Sequence, residues 1–257
     1  MQQDIWCFVL GEGNKKIIIQ ASIHAREYLT SMLVMQQIEY LKDFYFDATI
    51  YFVPLVNVDG VKFVLQGAKA FNKQKTKFLN SICTNHRLYK ANINGVDLNT
   101  NFDALFGMGK ANLNYPNYQN YIGPYPHSEL ETQALVNLTN TVNPDLTISY
   151  HLKGEVIYYG FEGQSKNSFI LDKTIVNNLC KYTTYKPVLT RNSCGGYKDY
   201  CITHFGIPSF TIEVGQDKFS HPFPDSELSN IFNKNKLLPL IAVKELEKVC
   251  SNIWNRP

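Results

Sequence analysis

The segment Ser22–Ile23–His24–Ala25–Arg26–Glu27 holds a histidine and a carboxylate three residues apart. At that spacing both side chains can point at one ion across a tight turn. Two imidazoles, one carboxylate and a water form one of the catalytic zinc arrangements. The second imidazole must come from elsewhere in the chain, and His151 qualifies, directly after the apolar run Asp145–Tyr150. Glu213 closes the apolar run Phe210–Thr211–Ile212. A carboxylate there is costly unless it is solvated or used. As a general base it would take a proton from a metal-activated water and pass it to a leaving amine. Each signal alone is common. H-x-x-E also opens capped helices with a solvated Glu, and a strand-end carboxylate often sits in a salt bridge. His86, His127, His204 and His221 lie in loop-like or helix-like segments without a strand-end partner and compete poorly as ligands.

Such a constellation needs rigid strand ends to hold it. Lys16–Ala21 is a short apolar run that reads as a buried strand ending just before His24. Ligand sites in open α/β sheets lie outside the carboxyl ends of strands, so the location suits a site. After Glu27 the period changes, and Leu29, Met32, Leu33, Ile38 and Leu41 fit one apolar helix face. Thr49–Val56 reads as the next strand, closed by Asn57–Gly60. Residues 66–125 are rich in Asn, Lys and Tyr with little periodicity, and read as a long functional loop. Ser128 and Glu131 form an S-x-x-E capping box that opens a helix. Val156–Tyr159 and Ser209–Val214 read as strands, Phe169–Tyr182 as a helix, Leu228–Val249 as a closing helix, and Ile5–Leu10 as an opening strand. The alternation predicts an α/β fold, a single domain over residues 1–257 whose central sheet is mixed, mostly parallel and flanked by helices.

Composition supports one large core, with 257 residues of which 44% are hydrophobic. A net charge of +3, and no Lys/Arg run longer than Lys15–Lys16, argue against a nucleic-acid binder. No stretch of about 18 apolar residues marks a membrane span. The six cysteines form no CxxC pair and read as buried free thiols. Met1–Asp4 leads straight into the first strand without a signal peptide. A start inside a strand suggests either an unusual start or N-terminal elements missing upstream. With them restored, the protein would be extracytoplasmic or wall-associated; as it stands it would be cytoplasmic. A monomer is expected.

At this level of detail the chain resembles the zinc carboxypeptidases of the carboxypeptidase A, or funnelin, family. It is most similar to the bacterial branch of γ-D-glutamyl-meso-diaminopimelate peptidases. The likeness runs from about Ile5 to Leu240. His24–Ala25–Arg26–Glu27 matches the H-x-R-E metal motif, Tyr150–His151 the third ligand, and Thr211–Val214 the strand carrying the general base. Tyr89–Asn99, Tyr150–Glu155 and Gly196–Tyr200 look like the peptidoglycan branch in particular. The resemblance implies one zinc ion on His24, Glu27 and His151, with Glu213 as base. It implies that Asp97 holds the His24 imidazole in the right tautomer. Arg26 and Lys90 match cations near the scissile carbonyl, where an oxyanion donor is worth roughly 3–4 kcal/mol. Lys90 stands where animal enzymes have an arginine.

Two departures bear on substrate. Family exopeptidases follow the asparagine with an arginine that clamps a C-terminal carboxylate; here Asn99 is followed by Thr100. Without that fork, selection for a free C-terminus should weaken. The family's flexible tyrosine has no clear equivalent, and Arg191 or Asn192 stands near its position, with Arg191 a substitute clamp or a solvated loop residue. Tyr197 and Lys198 fall in the segment that shapes the pocket after the cut. Lys198 would favour an acidic group there, the distal carboxylate of meso-diaminopimelate among them. The expected activity is hydrolysis of the γ-D-glutamyl–diamino acid bond in peptidoglycan stem peptides. The alternatives are a general metallocarboxypeptidase, a non-catalytic binder of peptide or wall fragments, and, more remotely, an aspartoacylase-type deacylase.

Overall fold

Three consecutive isoleucines, Ile17–Ile19, are all fully buried. A strand covered on both faces requires such a run, because neither face meets water. They form the middle of β2 (Lys15–Ala21). Its neighbour β4 (Leu146–Leu152) is buried along its whole length. The computed structural model describes residues 3–254, without the side chains of residues 68 and 249–254. Met1, Gln2 and the Cys250 thiol therefore lie outside the described residues.

The other strands are β1 (Phe8–Leu10), β3 (Ala48–Val53), β5 (Val156–Tyr159), β6 (Lys186–Leu189) and β7 (Ser209–Val214). They form one seven-stranded sheet in the order β1-β3-β2-β4-β7-β5-β6. The pairs β2–β3, β2–β4, β4–β7 and β5–β6 are parallel, while β1–β3 and β5–β7 are antiparallel. The expected mixed, mostly parallel sheet is the observed one. The helices are α1 (Leu29–Leu41), α2 (Val58–Gln66), α3 (Lys73–Ile82), α4 (Leu130–Val142), α5 (Lys166–Thr183), α6 (Tyr197–Phe205), α7 (Leu228–Asn235) and α8 (Leu238–Trp254). On one face of the sheet Ile17, Ile19 and Ile148 pack with Leu33, Val34, Leu179 and Ala242 from α1, α5 and α8. On the other, Val53 packs with Leu135, Tyr197 and Ile202 from α4 and α6.

Several local expectations are corrected. The stretch 66–125 contains α3, whose side-chain oxygen cap is Asn72. The Ser128–Glu131 capping box does not form: α4 starts one residue later than it requires, with Glu129 as N-cap. Ser128 Oγ instead donates to Glu129 Oε1 at 2.8 Å, and the Glu131 carboxylate shares the Asn92 amide, at 3.3 Å, with Glu129 Oε2 at 2.7 Å. The opening strand shortens to Phe8–Leu10. The closing helix is two helices, broken at Lys236–Leu237. Among the described cysteines all are free, and Cys7 is exposed while the rest are buried.

Candidate metal centre and its cleft

The turn after β2 is built by its own polar side chains. Ser22 adopts a left-handed conformation, with φ 49°. Its N–H donates to Thr30 Oγ1 at 2.9 Å, and its hydroxyl donates to the Glu27 carbonyl at 3.2 Å. Thr30 Oγ1 donates to the same carbonyl at 2.8 Å. The chain is thereby bent into a short 3-10 turn, Ala25–Glu27, with His24 at its start. Asn57, fully buried at the end of the β3 loop, donates to the carbonyls of Ile23 (3.2 Å) and Ala91 (3.0 Å). The same side chain caps α2 by accepting from the Gly60 N–H at 3.0 Å. One amide thus joins the His24 turn to the Lys90–Asp97 segment. Replacing Asn57 by alanine strands these buried groups and should cost about 2–4 kcal/mol. Chemical denaturation of the zinc-free protein would measure this, and a loss below 1 kcal/mol, on the order of a single exposed cap, would refute the joining role.

His24, Glu27 and His151 converge. They are the one group of three such side chains among the described residues able to hold a metal ion. His24 Nδ1 lies 3.0 Å from Glu27 Oε1 and 3.0 Å from His151 Nδ1. His151 Nδ1 lies 3.3 Å from Glu27 Oε2. His151 sits inside the last turn of pleat of β4, one residue before its end, and not beyond it. Two imidazole nitrogens and a carboxylate facing one point suit zinc, and this donor set is one of its catalytic sets. The other edge of the His24 ring completes the fit. Nε2 lies 3.2 Å from Asp97 Oδ1 without meeting hydrogen-bond geometry, a placement in which a small ring rotation would put the proton on Nε2 and leave the Nδ1 lone pair inward. Burial acts to raise the Glu27 carboxyl. The two histidines outweigh it and hold Glu27 well below the usual carboxylate range. Asp97 is likewise held low, burial being outweighed by Lys90 and His24.

Beside the triad lies a cleft of ≈ 300 Å³ that Lys90, Asn99, Arg191, Lys198 and Glu213 line. Glu213 is the cross-strand neighbour of His151 in the β4–β7 pair. Burial pushes its carboxyl up to about 7, against the pull of His151 and Lys90. Lys90 Nζ is 2.7 Å from Asp97 Oδ2, so the cation and the His24 orienter are one unit. Asn99 Oδ1 accepts from the Tyr197 N–H at 3.1 Å, which leaves its amide N–H groups for the cleft.

Three expected site residues are not brought in. Tyr197 is fully buried on the far side of α6, where its hydroxyl meets Thr139 Oγ1 at 2.7 Å. The helical turn that presents Lys198 to the cleft sends its neighbour into the core. Thr100 turns its hydroxyl back onto the Asp97 carbonyl at 2.8 Å. Arg26 donates to the Leu88 carbonyl at 3.3 Å and does not line the cleft, although its charge still reaches the Glu213 carboxyl. Conversely, Tyr158, Ser193 and Asp199 line the cleft unanticipated. The alternation of β5 places Tyr158 on the face of Thr211, its cross-strand partner, a signal that needed the β5–β7 register to read.

Comparison with known proteins agrees with this geometry. The sequence profile described as zinc carboxypeptidase matches residues 9–237. The chain is 32% identical over 255 residues to gamma-D-glutamyl-L-diamino acid endopeptidase 1 of Lysinibacillus sphaericus. That alignment covers 91% of this chain and 62% of the relative, so the chain spans less than two thirds of its length. Among solved structures, bovine thrombin-activatable fibrinolysis inhibitor bound to tick carboxypeptidase inhibitor superposes with a TM-score of 0.78. The identity is 18%, over 95% of this chain and 86% of that one. Murein-tripeptide amidase from Escherichia coli O157 gives a TM-score of 0.52 at 19% identity, over 91% and 82% of the two chains. These two likenesses concern the fold.

Proposed function

The chain belongs to the zinc carboxypeptidase family, and from that premise we propose that it hydrolyses the γ-D-glutamyl–diamino acid bond of peptidoglycan stem peptides. The convergence of His24, Glu27 and His151 beside Glu213 carries the hydrolytic part of this reading. The 32% identity to a gamma-D-glutamyl-L-diamino acid endopeptidase supports the substrate.

His24, Glu27 and His151 would hold the zinc, which when bound supplies a Lewis acid and lowers the pKa of water. Glu213 is poised as the base, because burial acts to raise its carboxyl, and such a group can both accept a proton from the attacking water and return it to the leaving nitrogen. Lys90 Nζ, lining the cleft with a fixed partner in Asp97, can donate to the carbonyl oxygen as negative charge develops on it. Asn99 offers its amide N–H groups to the substrate from the same wall. Thr100, its hydroxyl spent on its own loop, provides no fork for a terminal carboxylate.

Purified, zinc-loaded protein given L-Ala-γ-D-Glu-meso-diaminopimelate, its D-Ala-extended form and a hippuryl amino acid tests the reading. Cleavage of the γ-D-glutamyl bond is expected. Cleavage of the hippuryl compound alone would favour a general metallocarboxypeptidase, for which Arg191 at the cleft is the supporting observation.

The pH profile gives a second check. Glu213 must be deprotonated to act, so kcat/KM should fall as pH drops through its pKa. Lys90 lowers that pKa, so Lys90→Met should shift the acid limb to higher pH. An unmoved limb would remove Lys90 from the neighbourhood of the base.

A further inference from the structure

The first turn of α6 carries two opposite charges into the cleft, Lys198 and Asp199. Their side chains are only 5% and 3% exposed, and they form an ion pair. A buried ion pair contributes little net stability, because desolvating both charges offsets their attraction. Neither group is used up by the contact. The Lys198 ammonium has three donors, of which one goes to Asp199 and one to the Gly160 carbonyl at 2.9 Å. The Asp199 carboxylate accepts from Lys198 and from the Gly196 N–H at 3.2 Å, and keeps further lone pairs. The surrounding floor is polar as well. Thr211 lines the cleft, and its cross-strand partner Ser149 shares its face of the sheet. Ser149 Oγ is buried with no hydrogen-bond partner among the described residues.

This pairing alters the expectation that Lys198 selects an acidic group. A lone carboxylate would meet a cation already neutralised by Asp199. A lone ammonium would meet an anion already neutralised by Lys198. A group bearing both charges matches both partners at once, its carboxylate on Lys198 and its ammonium on Asp199.

We propose that Lys198 and Asp199 together form a subsite for a substrate side chain that ends in both an ammonium and a carboxylate, as the distal centre of meso-diaminopimelate does. The inference rests on the peptidase reading and deepens it by assigning a specificity role to Asp199.

The test compares hippuryl-meso-diaminopimelate, hippuryl-L-lysine and hippuryl-L-2-aminoadipate, which carry both charges, the ammonium alone and the carboxylate alone. Calorimetry on the zinc-loaded Glu213→Gln protein measures binding without turnover, and kcat/KM is read on the unaltered enzyme beside the γ-D-glutamyl substrates. The doubly charged compound should be preferred about 10- to 100-fold over either analogue. The double variant Lys198→Met/Asp199→Asn removes both charges together, keeps an acceptor for the Gly196 N–H, and should fold, with a melting temperature lowered by the Gly160 carbonyl that loses its donor. In it the preference should vanish. Equal binding of the three compounds by the unaltered enzyme would overturn the proposal, as would a preference that survives in the folded double variant. Ranked binding of the hippuryl series without any γ-D-glutamyl cleavage would uphold the subsite while removing the proposed scissile bond.

Discussion

Glu213→Gln should lower kcat by about 10²–10⁴-fold, the usual contribution of a positioned general base, while the protein still binds one zinc per chain. The substitution keeps the size of the side chain and its place beside His151 in the β4–β7 register. It removes only the ability to take a proton. Glu213 is not one of the three converging ligands, so metal affinity should hold. Zinc content by elemental analysis and kcat on the γ-D-glutamyl substrate are the paired measurements. A variant that keeps full activity would eliminate Glu213 as base, and one that loses its zinc would place Glu213 among the ligands.

His151→Ala should abolish zinc binding and activity together. The loss of a metal that stabilises developing charge by several kcal/mol corresponds to about 10³-fold or more in rate. Stability gives an independent reading. Zinc at 1,000 times its dissociation constant stabilises the folded state by about 4 kcal/mol. In a domain of this size that raises the melting temperature by roughly 10 °C. The unaltered protein should show this shift on adding zinc, and His151→Ala should not. An equal shift in the variant would mean that zinc binds elsewhere.

The parts legible in the sequence are those where one residue type has few roles. A histidine and a carboxylate three apart at a strand end, and a carboxylate closing an apolar strand, survive into the structure as neighbours. β7 was readable to the residue at its start, since Ser209 begins an uninterrupted pattern, while of the apolar face read for α1 Leu29, Leu33 and Leu41 are buried and Met32 is exposed. What failed was decided by partners distant in sequence. Ser128 and Glu131 have the letters of a capping box, but Glu129 and Asn92 engage them first. The break between α7 and α8 falls before Pro239, whose missing N–H is tolerated in a helix's first turn and not in its interior. α3 escaped because its Lys-rich surface buries little beyond Leu79. Around α6 the reading put Tyr197 and Lys198 in one substrate site, yet adjacent letters part company there. Lys198 and Asp199 face the cleft and Tyr197 faces the core, which only the helix's phase determines.

The register of β2 against β4 also sets a timetable. His24 and His151 stand 127 residues apart in the chain and meet only across that parallel pair. Parallel pairings between remote segments form slowly, because a long loop must close before any contact rewards it. The nascent chain therefore presents His24 and Glu27 as an incomplete claw until β4 has been made and has docked. Capture of an ion by all three residues together can only follow that docking, and its free energy would then favour the paired centre of the sheet.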